Sequence, residues 1–132
     1  MLKLISRKRI ADEWGQGSFQ APRGDRTHTG IDYVAPAGFR LLSPVEGYVT
    51  KHGYPYSDDL SFRYIEVTDK NNYRHRFFYV MPSQDCGTKV HVGQILGTVQ
   101  SLDSRYPKIT PHVHYEIKGE EGEFVNPEEY KV

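Results

Sequence analysis

Cysteine is nearly missing from this chain: Cys86 is the sole one in 132 residues. No internal disulfide can form, and a zinc site built on thiolates is excluded. Net charge is missing too, because 17 Lys and Arg balance 17 Asp and Glu. Bulk charge therefore favours neither nucleic acid nor an anionic membrane. Apolar runs are short. The opening Met1-Leu2-Lys3-Leu4-Ile5-Ser6-Arg7-Lys8-Arg9-Ile10 is interrupted by charges, so neither a signal peptide nor a spanning helix is expected there. Helical periodicity is sustained nowhere, and there is no repeat or heptad. The expectation is one domain over 1–132, with 1–13 as an N-terminal extension and 14–130 as the core.

What the chain does have is tyrosine, ten of its 132 residues, with scattered glycine and proline. That composition suits half-buried strands joined by tight turns, and a groove for a polar polymer. Residues 30–38 read as a strand ending in the Ala35-Pro36-Ala37-Gly38 turn, and the Glu46-Gly47 step as a hairpin turn or bulge. Residues 52–62 read as a loop. Residues 63–81 read as a hairpin turning at Asp69-Lys70-Asn71-Asn72, its second strand running from Tyr73 to Met81 and stopped by Pro82. Two short strands follow within 87–99, then a loop over 100–111, the strand 112–118, and a turn over 119–122. The fold is read as all-β and mainly antiparallel. Two familiar patterns carry nothing here: Gly15 and Gly17 lack the strand-and-helix frame of a phosphate loop, and Arg23-Gly24-Asp25 is a chance tripeptide.

Chemistry concentrates in two stretches. Along 112–118 the period of two puts His112, His114, Glu116 and Lys118 on one face, and Val113, Tyr115 and Ile117 on a core face. The two imidazoles then stand side by side on an open face, about 7 Å apart at their Cα atoms. In the other stretch His28, Gly30 and Asp32 share a face if the segment is extended. Gly30 leaves room between imidazole and carboxylate. Histidine nitrogen and aspartate oxygen are zinc ligands, and three of them plus water make a catalytic site. An H-x-H pair alone is common on exposed strands; the two motifs together carry the metal reading. Spacing does not say which of His112 and His114 would bind the metal.

These residues stand in an order that resembles the lysostaphin/LytM-type zinc endopeptidases, which cut the peptide cross-links of bacterial peptidoglycan. The likeness runs from about Gly17 to Tyr130. It includes Phe19, Arg23-Gly24, His28-x-x-x-Asp32, Ser43-Pro44-Val45-Glu46-Gly47-Tyr48-Val49, the Gly87-to-Gly97 segment, Pro111-His112-Val113-His114-Tyr115-Glu116-Ile117, and Val125-Asn126-Pro127 with Tyr130. The resemblance implies an antiparallel β-sandwich with an open substrate groove, of the duplicated hybrid motif type. It implies zinc held by His28, Asp32 and His114, with His112 as the histidine that handles the proton. The implied partners are peptidoglycan stem or bridge peptides, with no nucleic acid and no membrane insertion. The chain would be made in the cytoplasm and act on the wall after lysis or delivery by another system, as a phage-associated enzyme would.

One departure stands out. The family's Y-x-H-L segment reads Phe78-Tyr79-Val80-Met81-Pro82-Ser83 here, with Met81 where a histidine is expected. A thioether neither donates a proton nor acts as a base. His75, on the same strand face, is about 20 Å away by strand rise, too far. Tyr79 shares the face of Met81 and is near enough to offer a phenol, which makes it a second catalytic candidate beside His112. His52 sits in a loop able to fold over the groove, and His91 on a solvent-exposed position. Two functions follow from this departure: a peptidase weakened at Met81, or a non-catalytic zinc-bearing module that binds peptidoglycan or serves a structural or regulatory role.

Overall fold

The computed structural model describes residues 22–23, 26–27 and 29–130. The 1–13 extension and His28, Phe19 and Gly24 of the motifs lie outside the described residues. No helix occurs among them; alternating polar and apolar residues give twelve strands instead. These are β1 (Pro22–Arg23), β2 (Arg26–Thr27), β3 (Ile31–Val34), β4 (Arg40–Leu42), β5 (Gly47–Gly53), β6 (Tyr64–Thr68), β7 (Arg74–Phe78), β8 (Val80–Pro82), β9 (Lys89–Val90), β10 (Ile95–Val99), β11 (His112–Lys118) and β12 (Phe124–Val125).

All pairings are antiparallel. The large sheet runs β12-β11-β7-β6-β5-β9, with β3 also paired to β11. A smaller sheet runs β4-β10-β8, and β1 pairs with β2. Val49, Ile65, Val67, Phe77, Val113, Tyr115 and Ile117 of the large sheet meet Leu41, Val80, Leu96 and Val99 of the small one in a shared core, all 3% exposed or less. Phe77 and Tyr115 stack there with ring centroids 4.6 Å apart. The architecture is the expected all-β sandwich of antiparallel sheets.

The alternation fixes what the other face of the large sheet carries. The β6–β7–β11 register lines up Tyr64, Phe78 and His114, then Glu66, Arg76 and Glu116, then Thr68, Arg74 and Lys118. Arg76 Nε donates to Glu66 Oε2 at 2.7 Å and its guanidinium reaches Glu116 Oε2 at 3.7 Å, so the charged row is internally compensated.

Three sequence expectations change. The strand over Tyr73–Met81 is broken: Tyr79 has φ 71°, in the left-handed region, and the chain leaves the large sheet there to join the small one as β8. Pro82 ends β8 as expected, in register with Gly97. The hairpin register slips between Val49 and Lys51, not at Glu46-Gly47. His52 belongs to β5, where its Nε2 meets the Gln84 carbonyl oxygen at 2.6 Å, and it folds over no groove.

Two loops, over 54–63 and 100–111, lock together at one end. Phe62, Leu102 and Ile109 form a second small core with Tyr56, Tyr79 and Tyr106 packed against it. The Gln100 amide ties them by accepting from Arg63 N at 2.9 Å and donating to Ser61 O at 2.7 Å.

Candidate metal centre

The centre is made by one strand pairing. β3 lies antiparallel to β11 with Asp32 opposite His114, and directly opposed residues bring their side chains together. The neighbouring Gly30 permits the approach: a Cβ there would come within 2.2 Å of the Tyr115 carbonyl oxygen. Its small size therefore serves the backbone contact, rather than the space between imidazole and carboxylate that the sequence suggested.

Asp32 Oδ1 lies 2.9 Å from His114 Nδ1, and Glu116 Oε1 lies 3.1 Å from the other ring nitrogen, Nε2. Thr29 Oγ1 donates to the same Glu116 oxygen at 2.9 Å. His112 Nε2 approaches Asp32 Oδ2 at 3.6 Å, and its Nδ1 sits 2.7 Å from the Thr110 carbonyl oxygen. The Phe78 ring packs edge-on to His114 at 5.2 Å, and the Tyr79 ring edge-on to His112 at 5.5 Å. Asp32, His112, His114 and Glu116 are each at most 9% exposed. The open face expected for the two histidines is thus a covered one.

These contacts assign protons. A backbone carbonyl only accepts, so His112 Nδ1 carries the hydrogen and Nε2 carries the lone pair. His114 stands between two carboxylates, Asp32 at Nδ1 and Glu116 at Nε2, and its imidazolium donates to both. Burial works against a charged His114, but the hydrogen bonds it donates to Asp32 and Glu116 win and push its pKa up to about 9. The same partnership holds Glu116 below its ordinary value against the opposing effect of burial.

Oxygen and nitrogen donors on one tetrahedral zinc are about 3.3 Å apart, from bonds of about 2.0–2.1 Å. The Asp32–His114 pair, 2.9 Å apart, is close to that separation, and Glu116 stands where the outer carboxylate of a ligating histidine would stand. The donor set fits zinc. Among the described residues no three of His, Cys, Asp and Glu are arranged to hold a metal ion. The third expected ligand, His28, lies outside those residues.

The other candidates separate. Tyr79 stands against the centre. Met81, one pleat on, lies in β8 of the small sheet, opposite Thr98 and 44% exposed. The positive φ of Tyr79 breaks the alternation that would have put the two on one face. His75 is fully buried on the core face of β7, between Asp69 Oδ2 at 2.8 Å and the Tyr115 hydroxyl at 2.7 Å. His91 is exposed, as expected, and pairs with Glu46 at 2.9 Å. Sequence reasoning did not single out Glu116 as a partner of His114, although its place two residues along the same face was the available signal. Nor did it find Tyr56 and Tyr106 behind Tyr79, which come from loops without periodicity.

A model of peptidase family M23 matches residues 26–127. Leukocyte cell-derived chemotaxin-2 of Mus musculus is 29% identical over 108 residues, covering 82% of this chain and 71% of that protein. Peptidoglycan DD-endopeptidase ShyC of Vibrio cholerae is 29% identical over 94 residues, covering 70% of this chain and 20% of ShyC. Among solved structures, a mutant catalytic domain of the prophage-encoded M23 protein EnpA from Enterococcus faecalis superposes with a TM-score of 0.69 at 26% identity, covering 96% of this chain and 98% of that one. The chain belongs to peptidase family M23, whose members are generally zinc-dependent.

Proposed function

We propose that this chain is a zinc-dependent endopeptidase that hydrolyses peptide cross-links of peptidoglycan. The observation that carries this reading is the register of β3 on β11, which sets Asp32 Oδ1 beside His114 Nδ1 with His112 alongside. Asp32 and His114, with His28, would hold the ion. When bound, zinc supplies a Lewis acid that polarises a carbonyl and acidifies a water.

The protein's own residues do the rest. Glu116 and Thr29 orient the His114 ring. His112, its Nδ1–H fixed on Thr110 O, offers Nε2 to take the proton of the attacking water and return it to the leaving amine. Tyr79 offers a phenol beside His112. Glycine-rich bridges and D-alanyl to diaminopimelate links are both candidate substrates. The wall is the place of action, and the prophage origin of EnpA supports delivery with a phage.

A second reading is a non-catalytic module that keeps the zinc and binds peptidoglycan or another partner. Met81 at the expected histidine favours it, as does the likeness to proteins named as chemotaxins rather than peptidases. The test is the turbidity of a cell-wall suspension with zinc-loaded protein. Clearing that stops with a chelator and releases peptides supports the peptidase. Sedimentation with insoluble peptidoglycan and no released peptide supports the module.

A further inference from the structure

The outer face of the large sheet carries one row of unbalanced charge. The pairings line up Tyr48 of β5, Thr68 of β6, Arg74 of β7, Lys118 of β11 and Phe124 of β12. Side chains of a strand alternate between faces, so this row shares the face of His114 and Glu116. Lys118 lies four residues beyond His114, about 13 Å along the strand. Between them runs the Glu66–Arg76–Glu116 row, in which one guanidinium serves two carboxylates.

The outer row has no such compensation. Among the described residues neither Arg74 nor Lys118 has a carboxylate partner. Both are half-buried, so each gives up part of its hydration and receives no ion pair in return. The β11–β12 turn is acidic, but the Glu123 carboxylate lies against Gly119 and accepts from Glu121 N at 3.2 Å. Lys118 Nζ sits 5.3 Å from the centre of the Phe124 ring instead. The row ends on both sides in exposed rings, Tyr48 at 52% and Phe124 at 40%. Arg74 and Lys118 are directly opposed on neighbouring strands, with Cβ atoms about 5 Å apart. Two cationic heads at that spacing can close on one carboxylate or on two that are near each other.

We infer that Arg74 and Lys118, framed by Tyr48 and Phe124, form a carboxylate-binding subsite for the acidic stem peptide of the substrate. At about 13 Å from His114 the subsite reads a group roughly four extended residues from the bond at the centre. A diaminopimelate-type stem carries free carboxylates along its length, and a glycine bridge carries none. The subsite therefore selects the first substrate class over the second. The inference rests on the peptidase reading, and it names the substrate class which that reading leaves open.

The test uses zinc-loaded full chain and calorimetry at low salt. The probes are the stem tripeptide L-alanyl-γ-D-glutamyl-diaminopimelate, the same peptide with its carboxylates amidated, and pentaglycine amide. Wild type is expected to bind the acidic peptide more tightly than the other two, and to lose that preference as salt rises. Arg74→Gln and Lys118→Gln should each weaken the acidic peptide about five-fold, the upper range for a solvent-facing ion pair. Affinity for the amidated peptide, zinc content and thermal unfolding should stay unchanged in both variants. Equal affinity of wild type for the acidic and amidated peptides overturns the inference and leaves the peptidase reading standing. So does a loss in the variants that is the same for both peptides, because that is the mark of a structural role. A preference for the acidic peptide that both variants lose, with a cross-linked dimer of the same stems left uncleaved, supports the subsite and overturns the peptidase reading instead.

Discussion

At the residue scale the proposed centre would divide its labour between a metal-holding His114 and a proton-handling His112. His114 Nε2 is held by Glu116, and His112 Nδ1 by Thr110. Replacing Asp32 or His114 with Ala should therefore abolish both zinc binding and cleavage, seen in metal content after dialysis. His112→Ala should keep about one zinc per chain and lose cleavage by about 10²-fold or more. Metal lost from His112→Ala would reverse that division. Glu116→Gln keeps the shape but donates and accepts differently; it should weaken zinc about 10- to 100-fold in a competition titration with a chelator.

The elements explain why those residues meet. β11 is buried on both faces, its core face by Val113, Tyr115 and Ile117 and its polar face by the rows it shares with β6 and β7. A second polar group stabilises it from behind. Asp69, at the β6–β7 turn, accepts from Tyr130 Oη, from His75 and from the backbone N–H of Asn71 and Tyr73. Burial opposes ionisation of Asp69, but these donors prevail and its pKa is lowered. A carboxylate depressed in the fold contributes stability above its unfolded value of about 3.9, lost as pH falls through the folded value. The advantage of wild type over Tyr130→Phe should thus be about 1.5 kcal/mol at pH 7 and shrink toward zero below about pH 4, read from chemical denaturation at each pH. An advantage that persisted into acid would mean that the Tyr130 hydroxyl acts without Asp69.

Across the whole molecule, the two sheets form a scaffold and the two locked loops carry Tyr56 and Tyr106 to the edge of the centre. Zinc held between β3 and β11 as proposed would bind only the folded chain, so it should add stability by mass action, about 2.7 kcal/mol at a hundred times its dissociation constant. Thermal unfolding should shift down by several degrees on adding a chelator and recover with zinc. No shift would mean that the donors do not share an ion. No helix of the described residues is long and apolar enough to cross a membrane.

By itself the sequence determined the all-β class, the two faces of β11, and the candidacy of Asp32, His112 and His114, because a period of two is local and survives into any sheet. The residues that resemble the lysostaphin/LytM group also named the family in advance. Tertiary structure alone decided the rest. Which strand lies beside which is a long-range matter, so only the β3–β11 register could put Asp32 beside His114. The break at Tyr79 was illegible because a positive φ in a tyrosine has no composition signal. It moved Met81 into the other sheet and left Tyr79 against His112. The packing of Tyr56 and Tyr106 behind Tyr79 was illegible for a related reason: loops 54–63 and 100–111 have no periodicity, and packing in a shared small core is what brings them together.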